Sequence, residues 1–338
     1  YRSTMAEGGS AKLFSVPDAL QWKSLDDRND EFWGHQYFVG ENPPTDAIVQ
    51  VHVLEEVDEM SLRIHDGAGR LMRTIEAPVD RLEPGIRTIC WDQRVEPIPT
   101  PQLGENDQGG RRGGRSGDGP AIPGLPVSGP EAGFRTRDVC SGMGGGGQAG
   151  PYVTPGDYRV DLVVEGAVVD SKSMTIHMDP EVPLVGTERM AYDNILMDLH
   201  EMQREGTAVA ADLTRLYRSM ESAEEAMEEE DVSGEVERAF ADFKERFDEV
   251  RPSFGVPLGG GRSGGGSDDN ALARVAGVKG SIGAFWETPS DALVSAYYDA
   301  KAAMVAALPE AAALMDQARA LAGMLAEEGI TLEVPEAM

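Results

Sequence analysis

The sequence lacks the residues that several classes of protein require. It has two cysteines in 338 residues, which excludes a disulfide-dense scaffold and a zinc site built from four thiolates. It has no run of about 18 apolar residues, so no transmembrane helix is predicted. Lysine and arginine total 30 against 59 acidic residues, a formal charge of -29. This charge excludes a general nucleic-acid binder and disfavours binding to anionic membranes.

Glycine is concentrated in two segments. Residues 97–150 contain 16 glycines with five acids and five bases, and residues 255–266 contain seven more glycines. Such segments cannot bury enough apolar surface to offset the loss of chain entropy. We therefore predict a flexible insertion at 97–150 and a flexible linker at 255–268. With 41% hydrophobic residues, the rest of the chain is sufficient for about two packed domains.

The segments around the insertion are typical of β structure. They are β-branched or alternate between apolar and polar residues with a period of two, and close turns separate them. The predicted strands cover 47–53, 61–66, 70–75, 86–91, 158–164 and 168–178, the last as one strand or two. Short strands with close turns predict an antiparallel β-sandwich over 40–182.

Beyond residue 183 the apolar residues recur at spacings of three, four and seven, which indicates helices. Thr187 is a plausible N-cap, and a second helix is predicted at 235–250. Thr288 is predicted to cap a third helix, and Pro309 to mark the restart of a fourth. Residues 187–332 are thus predicted to form an acidic antiparallel helical bundle, and the fold class is α+β, multidomain.

Four short motifs, in order, resemble one kind of immunoglobulin-like domain. Gly40-Glu-Asn-Pro-Pro44 precedes the strand that begins at Ala47, and Asp66-Gly-Ala-Gly69 resembles the hairpin of that domain. The stretch from Gly85 to Arg94 resembles its G-x-N-R-x-x-W-D-x-R pattern, although the Asn is absent. Val153-Thr-Pro-Gly-Asp-Tyr158 resembles its P-G-x-Y-x-V strand.

This domain is similar to the Ig-like domain of flagellar hook-capping proteins. It also resembles the domain that follows a β-propeller in secreted bacterial proteins with BNR or sortilin-like repeats, which are often labelled glycosyl hydrolases and end in a helical segment. The resemblance implies that residues 1–39 lead out of a β-propeller. This propeller would belong to the same polypeptide and would be a partner of the present domains. The resemblance also implies a secreted, periplasmic or cell-surface location. No S-x-D-x-G-x-x-W Asp-box occurs in this sequence, so the chain corresponds to the accessory part.

The recurring residues of the resemblance have structural roles that physical chemistry explains. Trp91 is expected to fill the space between two sheets, and Asp92 to accept backbone hydrogen bonds at a strand end. Pro155 and Gly156 are expected to form the turn that leads into the strand containing Tyr158.

No pattern in the sequence predicts a catalytic, cofactor or metal site. The acidic run from Glu224 to Asp231 is typical of a solvated helix face, and the Gly-rich segments lack the P-loop signature. His52, His65 and His177 lie in predicted strands and are expected to face solvent, while His200 lies on a helix. The oxygen-rich segments 26–30 and 105–107 do not match an EF-hand loop.

Two interpretations of the cysteines remain open. Cys90 and Cys140 can form a disulfide that tethers the predicted insertion to the strand preceding Trp91, as is favoured in an exported protein. Alternatively, Cys90 is a buried free thiol. Neither interpretation supplies a nucleophile, because no catalytic pattern of His or Asn accompanies either cysteine.

The sequence therefore predicts a non-catalytic accessory or interaction module, with a protein or glycan partner and no nucleic acid or inserted membrane. One alternative is that it is part of a BNR-type glycoside hydrolase whose catalytic propeller lies elsewhere. The other is a cell-surface assembly protein of the hook-capping type.

Overall fold

The structure is a computed structural model with an α+β fold. It describes residues 9–22, 45–99, 149–184, 186–230, 232–256 and 270–335. These residues fall into two compact units, here called the β unit and the helical unit. The β unit comprises 9–22, 45–97, 149–184 and 186–193, and the helical unit comprises 98–99 and the described residues from 194 onward. Most of the predicted insertion and linker, namely 100–148 and 257–269, lies outside the described residues.

The β unit contains eight strands in its described part. They are β1 (Ala11–Leu13), β2 (Ala19–Gln21), β3 (Ala47–Val53), β4 (Met60–Asp66), β5 (Leu71–Glu76), β6 (Gly85–Trp91), β7 (Gly156–Val164) and β8 (Ala167–Met178). They form a three-stranded sheet in the order β1-β3-β6 and a five-stranded sheet in the order β2-β8-β7-β4-β5. The inward residues of both sheets share one hydrophobic core, to which β3 contributes Val49 and Val51 and β4 contributes Leu62 and Ile64.

The prediction of purely antiparallel sheets is wrong for one pair, because β2 runs parallel to β8. Neither β1 nor β2 was predicted, since each has only three residues and no alternation that distinguishes it from a loop. Tertiary contacts define them instead. For example, the backbone N–H of Leu13 in β1 donates to the Asp170 carboxylate of β8 at 3.0 Å.

The two described ends of the predicted insertion are paired with each other. The N–H of Val95 donates to the Pro151 carbonyl at 3.0 Å, and the N–H of Val153 donates to the Gln93 carbonyl at 2.9 Å. Between them, the Arg94 guanidinium lies 3.8 Å from the centre of the Tyr152 ring. The segment that leaves β6 and the one that enters β7 are therefore fixed side by side.

Four α-helices follow the strands in the described residues. They are α1 (Gly186–Glu229), α2 (Gly234–Val250), α3 (Ala271–Gly283) and α4 (Asp291–Glu327). The boundary between the two units falls within α1, after Asp193.

Three predictions about helix ends are wrong. Thr187 lies inside α1, which begins at Gly186, and α4 begins after Ser290 rather than Thr288. The Ser290 hydroxyl accepts a hydrogen bond from the N–H of Leu293 at 3.4 Å and so caps α4 itself. Pro309 does not restart a helix, because α4 continues through it. Pro309 is exposed, so water can reach the carbonyl that has lost its N–H partner.

The described helices of the helical unit are joined by apolar packing and by polar contacts between helices. Tyr217 of α1 stacks on Phe247 of α2 with ring centroids 6.0 Å apart. The Asp198 carboxylate of α1 accepts hydrogen bonds from Tyr297 and Lys301 of α4, at 2.7 and 2.8 Å. These contacts surround a core of buried side chains: Leu199, Leu213, Leu216, Phe243, Val275, Met304, Leu314, Leu321 and Leu325.

Replacing helical glycines with alanine is expected to separate close packing from helix propensity. A Cβ at Gly206 of α1 would lie 2.9 Å from both Leu272 Cδ1 and Met304 Cε, whereas one at Gly277 of α3 would meet nothing within 4 Å. Gly277→Ala should stabilise the protein by about 0.5–1 kcal/mol. Gly206→Ala should gain less than Gly277→Ala, because the propensity gain is offset by displacement of the flexible ends of Leu272 and Met304. Denaturant unfolding of both variants measures the difference, and an equal gain at the two positions would contradict this packing.

Candidate functional site

Trp91 and Tyr158 lie against each other in the β unit. Trp91 is fully buried at the end of β6, and its Nε1 donates to the Arg94 carbonyl at 2.8 Å. Its ring meets Tyr158 edge to face, with centroids 5.6 Å apart. The Tyr158 hydroxyl donates to the Thr154 carbonyl, four residues earlier, at 2.5 Å. Burial raises the pKa of Tyr158, so its hydroxyl stays protonated and acts as a donor.

Asp92, Pro155 and Gly156 lie at strand ends. Asp92 follows β6, and its Oδ1 accepts a hydrogen bond from the N–H of Arg94 at 3.2 Å. Gly156 begins β7 directly after Pro155, with φ of 157°, which L side chains rarely adopt. The contacts of these residues are local, and the structure gives them positions in strand and turn geometry rather than in a cleft.

A buried ion pair, which no sequence pattern predicted, lies on the first turns of α1. Arg189 Nε lies 2.8 and 2.9 Å from the two carboxylate oxygens of Asp193. Their side chains are only 5% and 6% exposed, so the pair is removed from water. The available signal was an Arg and an Asp four residues apart, a spacing that places them on one helix face. That spacing is also common in exposed pairs, so it did not indicate burial.

Groups from the sheets complete this polar cluster. Thr154 Oγ1 donates to the Asp193 carboxylate at 2.8 Å, and Arg189 Nη2 donates to Gln21 Oε1 at 3.3 Å. Gln21 Nε2 in turn donates to the Val153 carbonyl at 2.7 Å. The cluster therefore links β2, the segment that precedes β7 and the first turns of α1. We call these five residues the Arg189 cluster.

The electrostatics of the Arg189 cluster fit a structural role. Burial raises the pKa of the Asp193 carboxyl, while the Arg189 guanidinium and the Thr154 hydroxyl act in the opposite direction. Burial also raises the pKa of the neighbouring Tyr192 to about 12. The Asp193 carboxylate that accepts from the Thr154 hydroxyl is held by Arg189 through both of its oxygens. The hydrogen bonds of the cluster are directed at one another.

Two of the three strand histidines are more buried than predicted. His52 is buried and stacks on Phe14, with ring centroids 6.4 Å apart, and His65 is half-buried with Nδ1 3.3 Å from Asp161. Only His177 of the three strand histidines is exposed as predicted. His52 and His65 both lie on interior strands, since β3 lies between β1 and β6 and β4 lies between β7 and β5. His200 of α1 is buried, with Nδ1 2.9 Å from the Lys279 ammonium of α3.

The described ranges contain no group of three or more His, Cys, Asp or Glu side chains placed to hold a metal ion. The segments considered for calcium, 26–30 and 105–107, lie outside those ranges. In the acidic run, Glu224 forms an ion pair with Lys244 of α2, whose ammonium nitrogen lies 2.5 and 2.6 Å from the two carboxylate oxygens. The following acids Glu225, Glu228 and Glu229 are exposed to solvent.

Cys90 is buried in β6 and is disulfide-bonded. Cys140 lies outside the described residues, so its pairing with Cys90 stays a prediction.

We expect both cysteines to resist alkylation in the unfolded protein until a reductant is added. A disulfide removes the thiolates that iodoacetamide attacks, whereas a buried thiol is protected only while the protein is folded. Intact-mass analysis after alkylation in denaturant, with and without reduction, measures this directly. Two added alkyl groups without reduction would contradict the disulfide.

Two hollows in the helical unit lie beside its C-terminal segment, residues 330–335. Ile330 and Leu332 of this segment are buried, and the N–H of Glu333 donates to Ser219 Oγ of α1 at 2.6 Å. A hollow of about 310 Å³ lies between α1 and α4 and ends at Pro335. A second, of about 600 Å³, lies between α1 and this segment, and Arg215 and Arg218 line it. Either volume is in the range of small-ligand sites.

No protein-family model, curated protein or solved structure matches this chain. None of the described helices combines the length and the apolar character needed to cross a bilayer.

Proposed function

We propose that this chain is a non-catalytic accessory and interaction module at the C-terminus of a secreted propeller protein of the BNR or sortilin-like type. The observation that carries the proposal is the Arg189 cluster, an interconnected group of polar side chains in which Arg189, Asp193 and Gln21 are buried. Its cation, its carboxylate and its hydroxyl are all engaged in holding α1 to the strands. Catalysis requires such groups to be aimed at a bound substrate instead.

The proposed β domain is an Ig-like sandwich. Two sheets with one shared core and the contact between Trp91 and Tyr158 support this proposal. The bond from the Tyr158 hydroxyl to a carbonyl four residues upstream is also similar to the tyrosine corner of Ig-like sandwiches. The parallel strand β2 is an addition that joins the segment before the domain to β8.

The proposed second part is an acidic antiparallel helical bundle that spaces or docks a partner. From 187 to 254 it carries 19 acids and eight bases. A field of one sign favours association with basic surfaces and repels acidic ones. The motif resemblance supports a location outside the cytoplasm, and a disulfide at Cys90 fits an oxidising compartment.

Two experiments test this proposal. Purified chain should show no turnover on a panel of aryl glycosides at any pH between 4 and 8, and turnover that copurifies with the chain would refute a non-catalytic role. The reading frame upstream of Tyr1 should encode Asp-box repeats, since these mark the propeller that the resemblance implies. An upstream frame without such repeats would refute the association with a propeller.

A further inference from the structure

The hollow between α1 and α4, here called the α1–α4 hollow, has an apolar floor. The floor consists of Val209 from α1 and of Leu308, Ala311 and Met315 from α4. Val209, Leu308 and Met315 are only half-buried, so apolar surface remains accessible there. An accessible apolar floor is a favourable surface for a hydrocarbon chain.

Carboxylates surround this floor. Glu205 and Asp212 line the hollow from α1, one helical turn on either side of Val209, and Asp316 and the single base Arg319 line it from α4. Asp212 pairs with Arg215 at 2.8 Å and Asp316 with Arg319 at 2.6 Å. Glu205 is exposed, and the neighbouring Arg204 is paired with Glu201.

The acids on the α1 side are suited to an additional cation. Burial raises the pKa of Asp212 and outweighs the opposite effect of Arg215, so its negative charge is incompletely compensated. A cation in the hollow would lie among the carboxylates that line it, Glu205, Asp212 and Asp316. The surrounding excess of acids on α1 and α2 would draw such a cation toward this surface.

We propose that the α1–α4 hollow binds a lysine side chain of a partner polypeptide. Lysine combines a four-carbon stem, which packs on apolar surface, with a compact ammonium group. The stem would lie on Val209, Leu308 and Met315, and the ammonium would meet Glu205 and Asp212. The inference rests on the proposed function as an interaction module, and it specifies the chemistry of the partner.

The test uses the full chain and two peptides, acetyl-Leu-Lys-Leu-amide and the same peptide with norleucine in place of lysine. Norleucine keeps all four carbons of the lysine stem and lacks the ammonium. Methyl NMR should show saturable shifts at Val209, Leu308 and Met315 with the lysine peptide only. Equal binding of the norleucine peptide, or shifts that spare these methyl groups, would overturn the proposal.

A pair of charge-matched variants separates the hollow from the general acidity of α1. The double variant Glu205→Gln with Asp212→Asn should lower the affinity for the lysine peptide by about tenfold, which corresponds to the loss of two partly desolvated ion pairs. Glu221→Gln with Glu225→Gln removes the same charge from α1 outside the hollow and should leave affinity within about twofold. Equal losses in the two double variants would mean non-specific attraction and would overturn the proposal.

A third variant places the cation within the chain. Ala312 lines the hollow and is exposed, so Ala312→Lys supplies a lysine side chain without disturbing the core. It should compete with the peptide and reduce binding, whereas unchanged affinity would contradict the assigned position. Loss of the hollow proposal would leave the accessory role intact, because glycosidase turnover and the upstream frame test that role separately.

Discussion

Replacing Arg189 with alanine is expected to lower the free energy of unfolding by about 3–5 kcal/mol. The substitution leaves the Asp193 carboxylate buried, with the Thr154 hydroxyl as its remaining side-chain donor. It also removes the donor that Gln21 accepts from. Denaturant unfolding gives the total effect, and hydrogen exchange in β7 reports the β unit separately.

Arg204→Ala is the matched control for this prediction. Arg204 pairs with Glu201 on the same helix, but both side chains are more than half exposed. Because solvent screens exposed pairs, this variant should lose less than about 1 kcal/mol. Equal losses of stability in Arg189→Ala and Arg204→Ala would mean that the Arg189 ion pair does not stabilise the fold as a buried pair should.

The effect of Arg189→Ala should depend on pH with a defined sign. Burial raises the pKa of Asp193, so its carboxyl takes up a proton more readily in the folded than in the unfolded protein. Stability gained from that proton is present at low pH and is lost as pH rises through the folded pKa. The loss caused by Arg189→Ala should therefore shrink as pH falls, because protonation removes the uncompensated charge. A loss that grows on acidification would contradict this reasoning.

Replacing both Arg189 and Asp193 with apolar residues tests whether the ion pair stabilises the fold more than apolar packing of similar volume would. Arg189→Met with Asp193→Leu fills a similar volume and leaves neither charge behind. Such replacements are often neutral or stabilising in other proteins. We expect the double variant to recover most of the loss, while the Thr154 hydroxyl and the Gln21 amide each lose a partner and limit the recovery.

Strands with a strong pattern could be predicted from sequence alone. The bounds predicted for β3, 47–53, agree with the structure, and β4 to β8 begin and end within two residues of their predicted positions. Alternation succeeds there because one face of each strand is buried against the shared core. The same reasoning fails at β1 and β2, where pairing with β3 and β8 defines the strand and three residues carry no period.

The helical predictions failed at positions where solvent exposure or contacts with distant segments determine the structure. The interruption expected at Pro309 is absent because the residue faces water, a condition that no local pattern reveals. The burial of Arg189 and His200 likewise depends on segments distant in sequence: Gln21 in one case and Lys279 in the other. A side chain's own residue type favours exposure in both cases, and tertiary contacts outweigh that preference.

Gly150→Ala is expected to destabilise the β unit by about 3 kcal/mol, because the added methyl group meets backbone. A Cβ at this position would lie 2.6 Å from Val95 Cγ2, 2.7 Å from the Val95 carbonyl oxygen and 3.1 Å from the Glu96 carbonyl oxygen. The neighbouring hydrogen bond from the N–H of Val95 to the Pro151 carbonyl holds the two segments together, so the backbone cannot easily move away from the added methyl group. Gly67→Ala is the control, since its Cβ would meet only the Asp157 carbonyl oxygen, at 3.5 Å.

A second substitution at Val95 separates the two parts of this clash. Val95→Ala removes the Cγ2 contact but keeps the carbonyl oxygen 2.7 Å from the new methyl group. The double variant Val95→Ala with Gly150→Ala should therefore show only partial rescue, measured as a coupling energy of about 1 kcal/mol in a double-mutant cycle. Complete rescue would mean that the side chain alone causes the clash. If the single Gly150→Ala variant lost no stability, residues 93–95 and 149–153 would not be held together as described. The pairing of the two ends of the insertion would then be wrong.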